Sequence, residues 1–245
     1  MVTQNAQGES GGSGGRPGAR RRGRPPGRSA QGEATRARIY DAAIELMQAE
    51  GFEGATLREI AARAGVSHAL LYRYFPSKRA VVLALYERLS AELVRSVRLR
   101  RGPWRARALE ALRASLRTLA PYRETLRGAS GVLVSATDEG LFSRSTRTSR
   151  ERVAGVFQDA VTGARDAPKG ARGVALSRLL YLVHLAVVLT WLLDRSKDQR
   201  ATEALVRLVG SGLALGAAAL RLPGAWRLVE RADVTLASAL YEDGA

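Results

Sequence analysis

Two histidines and no cysteine leave this 245-residue chain little with which to break a covalent bond. The missing thiol removes disulfides, thiolate zinc sites, iron–sulfur clusters and a thiol redox switch together. His68 and His184 lie too far apart in sequence to form a ligand-spaced pair, so no metal and no cofactor are expected. There is no phosphate-cradling glycine loop and no nucleophile elbow. The expected function is therefore not enzymatic. What the sequence does concentrate is hydrogen-bonding heads around one glycine: Arg58, His68, Tyr72, Arg73 and Lys78 all fall close to Gly65. Side chains of these types suit nucleic acid, where guanidinium and imidazole groups reach base edges or phosphates.

Charge alone does not decide the matter. The chain carries +16 at neutral pH, which invites a polyanionic partner. Yet residues 1–33 hold six Arg against two Glu, residues 34–84 are only +2, and residues 85–245 are +10. Most of the excess thus lies away from the Gly65 cluster. Arginine also outnumbers lysine 36 to 3, a bias that a GC-rich coding sequence would produce by itself. The motif has to carry the argument.

The elements that would position those side chains are helical. Residues 1–33 are mostly Gly, Ser, Gln, Pro and Arg, cannot form a core, and are expected to be a disordered basic arm. From there Ile39, Ala43, Leu46 and Met47 line one face of a first helix that stops at Gly51. Thr56 and Glu59 form a capping box that opens a second helix. Gly65 ends it, Ser67 caps a third, Pro76 stops the third, and Ser77 caps a fourth. Two short helices joined by a tight glycine turn are the helix-turn-helix unit, whose second helix enters the major groove. Ile60, Ala61, Ala64, Val66, Leu71 and Tyr74 are spaced to fill the wedge behind it. Beyond Val81 the breaks at Gly102-Pro103, Pro121, 138–140, 168–170 and Pro223-Gly224 predict helices near 78–100, 104–120, 122–137, 144–164, 171–194, 199–221 and 224–241. The expected fold is all-α: a three-helix helix-turn-helix domain over 34–84, then a larger helical bundle over 85–245. The most apolar run, Leu179 to Leu193, is 15 residues long and contains His184. It is short for a membrane span and suits a buried helix. With no signal-peptide core at the N-terminus, a soluble cytoplasmic protein without a membrane partner is expected.

The stretch from T-R-A-R-I-Y-D-A-A to F-P-S-K-R-A-V-V-L-A-L, with E-G-F, T-L-R-E-I-A, A-G-V-S and L-Y-R-Y-F in order between, resembles the DNA-binding domain of the tetracycline-repressor (TetR) family. Beyond residue 85 only size and helical count are similar. The resemblance implies a homodimer on a pseudo-palindromic double-stranded operator, and repression relieved by a small molecule in the C-terminal domain. It places His68, Ala69, Tyr72 and Arg73 on the groove-facing side of the third helix, with Arg58 near the groove rim. Thr56, Ser67 and Tyr74 complete the expected DNA-contact set, and Lys78 with the start of the fourth helix would make an anion site. Leu70 stays open between core and groove. In the arm, Arg22, Arg24 and Arg28 lie in a segment similar to an AT-hook, which can follow a narrow minor groove; the alternative is a solubilising tail. The expected pocket draws on Trp104, Tyr122, Phe157 and Tyr181, with His184 or Arg127 as polar partners, for a small, largely apolar, neutral or anionic ligand. The alternative is that these aromatics only fill the core. The helices near 171–194 and 199–221, with small residues from Gly210 to Leu220, are the expected dimer seam. A constitutive architectural DNA binder and an activator are the competing functions.

Overall fold

The computed structural model describes residues 26–131 and 142–240, and every regular element among them is helical. The helix-turn-helix half is built from α1 (Pro26–Gly54), α2 (Leu57–Arg63), α3 (His68–Tyr74) and the start of α4 (Lys78–Ser96). The rest comprises α5 (Trp104–Leu119), α6 (Arg123–Gly128), α7 (Arg147–Thr162), α8 (Ala171–Leu193), α9 (Arg200–Ala219) and α10 (Ala225–Leu240). Short 3₁₀ turns precede α6, α7 and α9.

The caps act where their residue types require. Thr56 accepts a hydrogen bond from the Glu59 N–H while the Glu59 carboxylate accepts from the Thr56 N–H, a complete capping box. At the other end of α2, Gly65 takes a φ of 61°. That lets its N–H reach Ala62 O and the Val66 N–H reach Ala61 O at 3.0 Å, the paired bonds that close a helix through a left-handed residue. Ser67 and Ser77 accept from Leu70 N and Ala80 N, opening α3 and α4.

Three boundaries differ from expectation; in the first, the helix expected over 122–137 is interrupted after Gly128, and its part beyond residue 131 lies outside the described residues. The helix α1 begins at Pro26, so the part of the 1–33 arm within the described residues is helical rather than unstructured. Proline suits a first helical turn because its φ is preset and its missing N–H would have no partner there. Thr35, buried on this turn, donates to Gln31 O at 2.8 Å. A Cβ on Gly32 would lie 3.4 Å from the Tyr74 hydroxyl, so this turn runs against α3. Composition counts core-forming residues and misses a helix that leans on another element. The fourth helix stops at Ser96 rather than near 100. Buried Arg107 explains this: its guanidinium donates to Leu99 O and Arg100 O on one side, and to Ala160 O and Asp159 O at the end of α7 on the other. Those carbonyls are held in an extended turn by a tertiary contact.

The core divides unevenly. Ile39, Met47, Ile60, Leu71, Phe75, Val82 and Leu85 form a first cluster that also takes in Leu126 and Ala129 from the α6 region and Trp191 and Leu192 from α8. Leu93 of α4 belongs instead to a second cluster with Trp104, Phe157 and Tyr181. The expected division at residues 84 and 85 therefore falls inside one continuous helix, α4. Nineteen residues make it about 28 Å long, enough to run through both clusters. Arg123 ties α6 to the end of α8, donating to Trp191 O and Asp194 O, a cation on orphan carbonyls at a helix C-terminus.

At 23 residues, α8 extends beyond its apolar run and is long and apolar enough, by length and composition, to cross a membrane. Its contacts are those of a core helix. It buries Tyr181, His184, Val187 and Trp191, and Arg172 and Arg178 pair with Glu230 and Asp233 of α10.

Gly128 of α6 lies tight against α1, where an added Cβ would stand 2.9 Å from Phe52 Cβ. Gly128→Ala is expected to destabilise the protein by about 1–3 kcal/mol through overpacking. Gly155, inside α7, would meet nothing within 4 Å, and Gly155→Ala should stabilise by roughly 0.5–1 kcal/mol through lost backbone freedom in the unfolded chain. Denaturant unfolding of both variants checks the contrast; equal effects would mean that α6 does not press on α1.

Candidate DNA-binding interface

The helix α3 is polar on one side and locked on the other. Leu71 is fully buried against Ile60, Ala61 and Ala64, with Phe75 closing the end. Ser67, His68, Ala69, Tyr72 and Arg73 are all exposed. Tyr72, at 45% exposure, is a large aromatic left in solvent, with its ring edge-on to His68 one turn earlier at 4.8 Å. Leu70 is half-buried. A helix that shows two aromatic heads and a guanidinium while its back is wedged into a core can deliver them to a groove without rearranging.

Other expected contacts are placed differently. Thr56 serves chiefly as a cap: its hydroxyl donates to the Glu59 carboxylate at 2.6 Å, and these bonds hold that carboxyl below the usual range. Arg58 is exposed in the first turn of α2. Tyr74 is half-buried and packs on the first core cluster, with its hydroxyl beside Gly32 rather than on the exposed face. Lys78 departs furthest. Its ammonium donates to Phe52 O at 2.6 Å and Glu53 O at 3.1 Å, and lies 4.8 Å from the centre of the Phe52 ring. The orphan carbonyls ending α1 are acceptors within its reach, so Lys78 fastens α4 to α1 instead of forming an anion site. Arg22 and Arg24 lie outside the described residues, as does the side chain of Arg28.

The expected pocket residues separate into two groups. Phe157, Tyr181 and His184 come together, with ring centroids 4.9 to 6.4 Å apart, and Trp104 lies in the same core cluster. Tyr122 packs on the first cluster with α1, and Arg127 is exposed and paired with Glu124. Tyr122 and Arg127 therefore do not join the ring cluster. Residues that sequence reasoning passed over do join it. Ser115 Oγ is 2.8 Å from His184 Nε2, and Tyr86 of α4 neighbours Tyr181. Ser115 had a visible signal, a polar residue in register with Ala108, Ala111 and Leu112 on the apolar face of α5. A separate cleft of about 320 Å³ lies between α1 and α4, lined by Glu33, Arg36, Tyr40, Asp41 and Arg88 among others.

A capped helix-turn-helix with an exposed polar second helix, set on a larger helical domain, defines a DNA-binding protein of the helix-turn-helix class. Residues 39–85 match the family model for bacterial regulatory proteins of the tetR family. The HTH-type transcriptional repressor DrrR1 of Streptomyces coeruleorubidus is 38% identical over 101 residues, which are 41% of this chain and 36% of that protein. The tetracycline repressor protein class A from transposon 1721, from Escherichia coli, is 35% identical over 94 residues, 38% of this chain and 44% of its own. Among solved structures, a tetR-family regulator from Streptomyces coelicolor superposes with a TM-score of 0.57 at 20% identity, covering 83% of this chain and 89% of that one. FadR from Bacillus subtilis, solved with stearoyl-CoA, gives 0.54 at 18% identity over 72% of this chain and 98% of its own. Residues 39–85 therefore carry a tetR-type DNA-binding region, and the chain as a whole has the fold of solved tetR-family regulators. The matched stretches span 36% and 44% of those two curated relatives, whereas the likeness of fold extends over most of the chain.

The placement of these side chains predicts a split in phenotype. Tyr72→Ala and Arg73→Ala should each weaken specific DNA binding by about 1–3 kcal/mol per lost contact with no change in melting temperature. Lys78→Ala should instead lower folding stability by roughly 1.5–3 kcal/mol, the range for a hydrogen-bonded charged group. Thermal melts and DNA titrations of the three variants, read together, check it.

Proposed function

We propose that the protein is a sequence-specific transcriptional repressor of the cytoplasm that grips an inverted-repeat operator as a homodimer and releases it when a small, largely apolar molecule occupies the helical domain. The observation that carries this reading is the exposed His68–Arg73 face on a helix whose other side is buried. One such helix reads one half-site, and dimers of this unit read two, about one helical turn apart.

Support for the dimer comes from α8 and α9. Leu208 and Leu215 of α9 are 67% and 74% exposed, and Leu189 and Leu193 of α8 are exposed beside Thr190 and Ala186. On α9, Ala204, Ser211, Gly212 and Ala218 are exposed with these leucines, so a second copy can approach closely. Exposed leucines of this kind are unfavourable in water and suit burial in a two-fold, self-complementary contact. Support for a ligand comes from the aromatic cluster around His184, and from a protein of like fold solved with stearoyl-CoA.

Selection of bound duplexes from a random library should enrich an inverted repeat. Light scattering should give twice the 26.4 kDa chain mass. Leu208→Glu combined with Leu215→Glu should yield a folded single chain that has lost its preference for the full repeat over a half-site. An asymmetric enriched site, or a monomer that holds the full repeat with parental affinity, would contradict the proposal. Operator affinity that no small molecule alters would favour a constitutive binder.

A further inference from the structure

The first half of α1 presents a row of complementary side chains to the cleft it shares with α4. Glu33, Arg36, Ala37 and Tyr40 stand at positions i, i+3, i+4 and i+7, which puts them on one face of the helix. Ala84 and Arg88, one turn apart on α4, line the other side. The two alanines are too short to fill the helix crossing. The space of about 320 Å³ that remains is within the range that small-molecule sites occupy.

Tyr40 is the group here whose hydrogen bonding is incomplete. The residue is 7% exposed, and its hydroxyl is buried without a hydrogen-bond partner among the described residues. A buried donor left unanswered is unfavourable. Burial pushes its pKa up to about 12, so at neutral pH the hydroxyl is protonated and offers a donor. Arg88 lies over the ring, 5.5 Å from its centre, near enough to oppose that rise but without a hydrogen bond of ordinary geometry. Asp41 holds Arg88 loosely, at 3.6 Å with both side chains more than half exposed. An exposed ion pair of this kind contributes little and can yield to a ligand. Glu33 and Arg36 make no ion pair among the described residues; Arg36 lies 5.2 Å from the centre of the Phe75 ring. A carboxylate, a guanidinium and a hydroxyl donor therefore follow one another along α1, about 5 Å apart along the axis.

We infer that this cleft binds a free amino acid with an apolar side chain: its carboxylate is taken by Arg36 and the Tyr40 hydroxyl, its ammonium by Glu33, and its side chain lies over Ala37 and Ala84. Both charges are needed. A bare carboxylate would face Glu33 and Asp41 along with the cations, and a bare ammonium would face Arg36 and Arg88. A zwitterion answers the row in both signs. The site lies in the helix-turn-helix half, apart from the rings around His184, and does not depend on the helical domain being a sensor.

Calorimetry on the full-length protein with three molecules of one shape tests it: leucine, 4-methylpentanoate, which lacks the ammonium, and isopentylamine, which lacks the carboxylate. Leucine should bind at least about tenfold more tightly than either, the discrimination expected from losing one charge-assisted hydrogen bond. Two variants divide the contacts. Glu33→Gln, at an exposed position, should bring leucine down to the affinity that the parent protein has for 4-methylpentanoate. Tyr40→Phe keeps the ring and removes a hydroxyl that has no partner to lose. It should weaken leucine binding about tenfold and leave isopentylamine as it was. Should Tyr40→Phe fail to fold, the probe ranking and Glu33→Gln decide. Equal affinity for the three probes, or no leucine binding at all, would overturn the assignment. So would leucine binding that neither variant weakens, since the amino acid would then sit elsewhere in the protein.

Discussion

The helix-turn-helix does not close its own core. About fifty residues bury too little apolar surface to be robust alone, and here the deficit is met from outside the unit. Leu126 and Ala129 press on α1 from the α6 region, and Trp191 and Leu192 join the same cluster from the end of α8. Arg123 binds those two sources to each other through the carbonyls of Trp191 and Asp194. Lys78 then fastens the start of α4 to the end of α1, two residues after Pro76 closes the turn that follows α3. The core behind α3 is thus shared with α8, the helix that carries both His184 and Tyr181. A change at that inner cluster can reach α3 through α4 and α8 without a dedicated relay, provided those helices have two stable arrangements.

Electrostatics play a narrower part than the net charge suggests. The cation nearest the turn after α3, Lys78, is used internally. The exposed α3 face offers Arg73 and the polar rings of His68 and Tyr72, a set suited to directional contacts more than to bulk attraction. Meanwhile Arg95, Arg98, Arg100, Arg101 and Arg105 are exposed around the turn between α4 and α5, at the far end of α4. Much of the exposed positive charge therefore lies away from the α3 face proposed to read DNA.

How much of this was legible in the sequence depended on range. Caps are local chemistry, so Thr56, Gly65, Ser67 and Ser77 announce their helix ends within four residues, and the structure has all of them. The polar face of α3 follows from the same local geometry. Long-range contacts were not legible. Arg107 ends α4 from the next helix, and Lys78 turns to carbonyls some 25 residues away in the chain. Both look like ordinary surface cations in one dimension. The aromatic set failed for a related reason: which end of the bundle a residue occupies depends on how the helices pack. Tyr122 and Tyr181 read alike in the sequence, yet one packs on the core of the DNA-binding half and the other lies beside His184. The membrane test shows the limit of composition, since α8 passes it while burying His184 and pairing two arginines with α10.

The central claim is that α3, and not the more abundant positive charge elsewhere, meets DNA. Amide hydrogen exchange of the full-length protein, with and without a selected duplex at physiological salt, tests this most directly. Exchange should slow across α3 and the first turn of α2, with residues 95–105 unchanged. Slowed exchange confined to the arginine-rich turn at 95–105, with α3 unaffected, would contradict it.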